Sequence, residues 1–331
     1  MTSLAVLGAG RIGRVHARAI AATPGARLVA VADALPGAAA QLAMTHGAEV
    51  AGIDAIAADA GIDAVVICTP TDTHADLIER FARAGKAIFC EKPVDLDAGR
   101  VRDCLSVVAA SGVPLMVGFN RRFDPHFRAL KATIDAGRVG PVEQILLTSR
   151  DPGLPPAEYI ARSGGLFRDM TIHDFDMARF LLGAVRIVSV HAVAGALVDP
   201  EVARLGDVDT ATVVMVAETG AQVVITNSRR ASYGYDQRIE VAGALGMVAA
   251  HNQRAADIVV ADREGFHAPP LLDFFMTRYE AAYAAEIAAF LAAIAEGRPP
   301  SPSGEDGLKA LELAEAALAS LASGAPVAVS I

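Results

Sequence analysis

The residues best suited to chemistry lie in Ser163–Gly183, SGGLFRDMTIHDFDMARFLLG. Leu166, Met170, Phe180 and Leu181, with good helix formers between them, predict a helix that starts after Gly164-Gly165 and stops at Gly183. On that helix Asp169 and His173 are four residues apart and Asp176 is three beyond, so all three project from one face. A carboxylate one turn from an imidazole fixes the ring tautomer and holds a proton acceptor that titrates near neutrality. An isolated D-x-x-x-H is more often incidental pairing on a surface helix, so the rest of the chain must supply reaction partners. Lys92 is one, in Glu91-Lys92-Pro93 at the end of the apolar run Ala87–Cys90. An ammonium there can hydrogen-bond an alcohol oxygen and ease the loss of its proton. The plainer alternative is a solvated loop lysine paired with Glu91.

A hydride acceptor is the other partner. Ser3–Leu7 reads as a short buried strand, followed at once by Gly8-Ala9-Gly10-Arg11-Ile12-Gly13 and a helical stretch through Ala22. G-x-G-x-x-G in that context makes a tight turn, lets backbone approach a pyrophosphate and aims a helix N-terminus at the phosphates. A second strand, Arg27–Ala32, ends in Asp33, where an acid hydrogen-bonds the adenosine ribose. Asp33 repels a 2′-phosphate and Ala34-Leu35 offers no cation, so NAD is favoured over NADP.

Two further strand–helix units follow. Ala64–Cys68 leads into Thr69-Pro70-Thr71-Asp72-Thr73-His74, and Ala87–Cys90 leads into Glu91-Lys92-Pro93. Strands alternating with helices predict a doubly wound parallel sheet that binds ligands at its C-terminal strand ends, where Thr69, Pro70 and Glu91 fall. For His74, helix-start cap, nicotinamide neighbour and surface residue all stay open. Leu115–Gly118 is one more strand before Asn120-Arg121-Arg122 and a boundary near residue 120.

The remainder changes character. Val142–Ser149, Arg186–Val193, Ala211–Ala217, Ala221–Asn227, Gln237–Val241 and Asp257–Val260 read as strands without helices between most of them, with a hairpin turn at Thr219-Gly220. The expectation is an α+β domain on a mostly antiparallel open sheet. Phe275–Glu296 reads as one helix with Tyr279, Tyr283, Ile287, Phe290 and Ile294 on one stripe; Glu305–Ala322 is a second, before a terminal strand Val327–Ile331. The division is thus a Rossmann domain over 1–120 and a substrate-binding and oligomerisation domain over 121–331.

Composition narrows the partners. A formal net charge of −9, with no Lys/Arg-rich run, argues against nucleic acid and anionic membranes. No apolar run is long enough to span a bilayer, and MTSLAVLGAG enters a strand with no room for a signal peptide. Cys68, Cys90 and Cys104 are odd in number and lack ligand spacing, which suggests a reduced cytoplasm and no metal.

GAGRIG, CTPTDTH, FCEKP, GFNRRFDP and SGGLFRDMTIHDFD, in that order, resemble the glucose-fructose oxidoreductase/inositol dehydrogenase (Gfo/Idh/MocA) family over essentially the whole chain. SRRASYGYDQRIEVAG, RYEAAYAAEI and the SGEDGLKAL tail resemble its inositol dehydrogenases more narrowly. The resemblance implies a catalytic triad of Lys92, Asp169 and His173, with substrate contacts from Arg121, Asp176 and Tyr235, and also Tyr283 and Asn227. It implies oxidation of a cyclitol, myo-inositol first, to the ketone. His173 takes the hydroxyl proton, Lys92 steadies the alkoxide and hydride passes to NAD+. Another cyclitol or an aldose is the alternative substrate, and an idle dinucleotide sensor the alternative class. A homotetramer is expected from the resemblance and from the open sheet.

Overall fold

The computed structural model describes residues 1–331. Its first sheet is parallel throughout and runs β3-β2-β1-β4-β5-β6. The strands are β1 (Thr2–Leu7), β2 (Ala26–Ala32), β3 (Glu49–Val50), β4 (Ala64–Ile67), β5 (Ala87–Glu91) and β6 (Leu115–Gly118). A strand covered on both faces needs a continuous apolar run rather than alternation. Leu4–Leu7 and Ala64–Ile67 meet that need and are wholly buried. The chain winds outward from β1 in one direction and from β4 in the other. The topological switch point therefore lies between them, where Gly8 and Cys68 leave the sheet. The crossover helix Ala98–Ser111 starts at Asp97, whose carboxylate accepts from the Arg100 backbone N–H at 2.7 Å, and stops at Gly112 with φ +68°.

The second sheet is built from β7 (Val142–Arg150), β8 (Ile187–Gly195), β9 (Thr210–Ala217), β10 (Gln222–Ser228), β11 (Asp236–Gly243) and β12 (Gly246–Ala250). A detached hairpin, β13 (Val260–Asp262) and β14 (Gly265–His267), follows, and β15 (Val327–Ala328) completes the sheet in the order β12-β11-β7-β10-β9-β8-β15. Every pairing is antiparallel except β10 with β7. Burial alternates along β9: Ala211, Val213, Met215 and Ala217 are buried while Thr212 and Val214 are exposed, as one-sided packing requires. Gly220, at φ +89°, makes the β9–β10 hairpin turn.

The chain forms two compact units, Met1–Asp124 with Glu280–Leu311, and Pro125–Tyr279 with Glu312–Ile331. A single cut near residue 120 therefore misses a return of the chain to the first unit. The reason lies in the aromatic stripe expected on one helix. That helix is two, Phe275–Arg278 and Glu280–Glu296, broken at Tyr279 with φ −114° and ψ 18°. The Tyr279 ring lies in the second unit, 6.1 Å from Tyr235 and 6.4 Å from Phe127. Tyr283, Ile287 and Phe290 are buried in the first. One spacing pattern thus serves two cores. Two expected strands also change: Asp257–Val260 is loop until β13 begins at Val260, and only Val327–Ala328 of the terminal stretch is regular strand, although Val329 and Ile331 still bond the backbone of Val188 and Ile187. No helix is long and apolar enough to cross a membrane.

One buried acid holds much of the second unit's loop geometry. The Asp209 carboxylate, fully buried, accepts from the backbone N–H groups of Leu197 (2.8 Å), Val198 (2.9 Å) and Asp199 (3.0 Å), while its carbonyl accepts from Arg229 N (2.8 Å). Asp209→Ala leaves three donors stranded and should cost about 3–5 kcal/mol by urea denaturation. A loss below about 1 kcal/mol would show that the loop is held by other contacts.

Candidate active site

In the first unit the turn after β1 is shaped by steric exclusion. Gly8 has φ +99°, and a Cβ there would come within 2.5 Å of the Cys68 carbonyl oxygen. A Cβ on Gly13 would lie 1.9 Å from the Gly8 carbonyl oxygen, so the loop closes on itself only with glycine at both ends. A Cβ on Gly10 would meet nothing within 4 Å, which marks the side open to a ligand. The helix Arg11–Ala22 begins at Gly10 with no side-chain cap, so its first N–H groups face outward as an anion site. Asp33 ends β2 half-buried; its carboxylate accepts from Ala9 N at 2.6 Å and Leu35 N at 2.7 Å. It therefore anchors the glycine loop, and each oxygen keeps a lone pair that can accept from another donor. A bare helix start, an uncovered Gly10 and a tethered acid fit a dinucleotide.

The ends of β4 and β5 are tied together by His74. Its Nδ1 lies 2.8 Å from the Pro93 carbonyl and its Nε2 2.8 Å from the Thr69 carbonyl, and the ring is buried. Burial pulls its pKa below the ordinary value, opposed by the two carbonyls. Of the three readings left open, burial excludes the surface residue: His74 bridges the two polar loops at the first position of the helix His74–Arg83. Thr69 Oγ1 is hydrogen-bonded to Thr73 Oγ1 at 2.7 Å, which closes the same turn. Glu91 does not serve as a surface partner for Lys92. Its carboxylate is buried against His16 Nε2 at 2.6 Å, while its second oxygen accepts from Lys92 N at 3.3 Å. The half-buried Lys92 thus stands on a backbone fixed from both sides.

In the second unit the expected α-helix starts with a π-helical turn, Phe167–Thr171, and becomes α-helical only over Ile172–Leu182. Thr171 accounts for it, since its hydroxyl lies 3.4 Å from the Leu166 carbonyl five residues back and 2.6 Å from Asn227 Oδ1. The simple four-residue spacing of Asp169 and His173 is thereby altered by one wide turn. Gly164 and Gly165 enter it with φ +82° and +84°, and a Cβ on Gly165 would lie 2.7 Å from Asp207 Oδ1, which accepts from Leu166 N.

Asp169 is held by two side chains that motif reading passed over. Tyr159 OH donates to Oδ1 at 2.8 Å and Arg229 Nη2 to Oδ2 at 3.1 Å. Arg229 is buried; burial disfavours its charge, but Asp169, Asp151 and Asp207 outweigh that and keep it firmly protonated. The available signal was an arginine pair at the end of a strand, Arg229-Arg230. His173 is half-buried with its Nδ1 turned inward, and Asp176 is buried on the same helix.

The other expected substrate residues come from both units. Asn227 is buried in a network: its amide donates to Asp174 Oδ2 (2.8 Å) and its oxygen accepts from Thr171, while Ser149 donates to Asp174 Oδ1 (2.6 Å). That amide is used to pin the helix to β7 and β10. Tyr235 is buried with its ring 5.5 Å from Phe274, and Tyr283 is buried in the first unit 5.5 Å from His16. Arg121 lies in the first unit's turn Asn120–Phe123, buried. The three cysteines are buried and free, and burial pushes Cys104 up to about 12.

Comparisons with known proteins place the chain in a family. Residues 2–119 match the oxidoreductase family with NAD-binding Rossmann fold, and residues 127–249 match the GFO/IDH/MocA C-terminal domain. The chain is 62% identical to an inositol 2-dehydrogenase of Rhizobium meliloti (strain 1021), over 98% of each chain. Among solved structures, a myo-inositol dehydrogenase from Corynebacterium glutamicum superposes with a TM-score of 0.96 at 45% identity, covering 99% of both chains. A scyllo-inositol dehydrogenase from Lactobacillus casei, with bound NAD(H) and scyllo-inositol, superposes at 0.92 with 30% identity, again over 99% of both. The protein is an NAD-dependent oxidoreductase acting on CH–OH groups. It belongs to the Gfo/Idh/MocA family.

Proposed function

We propose that the protein oxidises a ring hydroxyl of a cyclitol, myo-inositol to 2-keto-myo-inositol, with Lys92, Asp169 and His173 as catalytic residues. The observation that carries this reading is the Asp169 carboxylate, anchored by Arg229 and Tyr159 on the turn that leads into His173. Bound NAD+ supplies the hydride acceptor. His173 accepts the proton of the reacting hydroxyl, and the fixed charge of Asp169 stabilises the imidazolium that results. Arg229 sets a fixed positive charge against Asp169. Lys92 donates to the alcohol oxygen and steadies its negative charge as the proton leaves. Recognition of a ring of hydroxyls requires polar side chains, and Arg121, Asp176 and Tyr235 are the candidates, with Tyr283 a further one. The names of the relatives support an inositol, and scyllo-inositol is the second reading because a structural neighbour holds it.

We also infer self-association, into a tetramer. Leu146, Val214 and Val193 are 41%, 39% and 65% exposed on strands of the second sheet, an apolar surface that a second copy would cover. A cytoplasmic setting suits three free, buried thiols.

His173→Ala should lower kcat by about 10²–10⁴ while leaving NAD+ affinity nearly intact, since the dinucleotide residues lie in the first unit. Near-normal turnover would remove His173 from the mechanism. Wild-type kcat/KM should fall as acid protonates His173, and Asp169→Asn should impair turnover at every pH. NAD+ should be preferred over NADP+ by about 10- to 1000-fold in kcat/KM, and equal use would refute the role given to Asp33. In a panel of inositols and aldoses with NAD+, myo-inositol should be the best substrate; an aldose far ahead would overturn the cyclitol reading and spare the family. Sedimentation should give a mass near four times 34.2 kDa, and a species of 34.2 kDa at micromolar concentration would exclude the tetramer.

A further inference from the structure

Beneath the Glu91-Lys92 peptide lies a group of titratable side chains that neither the cofactor site nor the proposed chemistry uses. His16 comes from the helix Arg11–Ala22, Glu91 from β5 and Glu286 from the helix Glu280–Glu296. Their polar atoms lie within 4.8 Å of one another, and His16 and Glu286 are wholly buried. The surroundings are apolar: the His16 ring has Phe89 at 4.9 Å and Tyr283 at 5.5 Å, and Phe290 stacks edge-on to Phe89 at 5.9 Å. Within the trio the bonding is unequal. Glu91 holds His16 Nε2 at 2.6 Å, whereas both Glu286 oxygens are shielded and have no hydrogen-bond partner.

Two carboxylate charges and one imidazole cannot share so dry a site at low cost. No compensating cation reaches Glu286. The packed turn Asn120–Phe123 carries Arg121 and Arg122, but neither bonds its oxygens, and Arg122 pairs with Asp306 at 3.0 Å. The other titratable group facing it is the Cys68 thiol after β4, itself pushed up by burial and by the neighbouring acids. Burial and the charge of Glu91 both raise Glu286 well above the ordinary carboxylate range.

We propose that Glu286 is a positioning residue kept as a neutral acid, leaving His16 to Glu91 alone and so fixing the peptide from which Lys92 projects. As an anion it would compete with Glu91 for His16 and press that carboxylate away from Lys92 N, which it now accepts from. This rests on the proposed role of Lys92. The protonated state itself can be read without activity.

The test compares the full-length protein with Glu286→Gln, a neutral isostere, and Glu286→Ala. The infrared difference spectrum of wild type minus Glu286→Gln at pH 8 should show the carbonyl band of a protonated carboxylic acid. A raised folded-state pKa gives stability that is fully present below the unfolded value and is lost as pH rises towards the folded one. The Tm of Glu286→Gln should therefore pull ahead of wild type as pH increases above the ordinary glutamate titration. Glu286→Ala should lower kcat about 10- to 100-fold with NAD+ affinity held, and Gln should restore it to within a few-fold. A missing band with a pH-independent Tm difference would show an ionised Glu286 and overturn the proposal. So would elemental analysis finding one transition metal per chain that Glu286→Gln loses. If the band is present and Lys92→Ala turns over normally, the fault lies with the role given to Lys92.

Discussion

The second unit depends on the buried ion pair between Arg229 and Asp169. A guanidinium taken out of water is tolerated only when anions and hydrogen bonds replace the solvent. Here Asp169 bonds it, and Asp151 and Asp207 add charge around it. Its backbone N–H is fixed to Asp209, whose carboxylate organises the loop Leu197–Asp199. One strand end thus joins a loop, a sheet and the start of the site helix. The carboxylate one turn before His173 is held by the same charges that hold the domain.

Much of the architecture can be read from local chemistry. The parallel sheet follows from apolar runs broken by glycine and polar turns, and the expected bounds of β6 (Leu115–Gly118) match its structure. The glycine loop and Asp33 follow from steric and charge rules that act within a few residues. What spacing does not reveal is long-range or irregular. The π turn depends on Thr171 meeting Asn227, 56 residues away. Arg229 is a counter-ion chosen by tertiary placement, with no motif of its own. Asn227 has the polarity of a ligand-binding residue, yet its amide is occupied inside the domain. Sequence type cannot separate these uses because both need a hydrogen-bonding side chain; only the partners differ.

Histidine shows the same contrast. His173 was marked by its relation to Asp169, whereas His16 and His74 do their work from inside the first unit. Each fixes one side of the segment Glu91-Lys92-Pro93, His16 through a carboxylate and His74 through a carbonyl. A flexible lysine gains directional precision when the two residues flanking it are clamped, since less side-chain and backbone entropy is lost on binding.

The return of Glu280–Leu311 to the first unit has a consequence for biosynthesis. The Rossmann sheet is complete once residue 118 has been made, but the helix Glu280–Glu296 that buries His16 and Phe89 has yet to be translated. On a ribosome adding about 5–20 residues per second, those 160-odd residues take roughly 8–30 seconds. Through that interval the emerging first unit carries an uncovered aromatic surface around a buried-type histidine. Six of the second sheet's seven strands must be synthesised inside this window, so the vectorial order of translation makes the N-terminal half a waiting client, exposed to chaperones until that helix arrives.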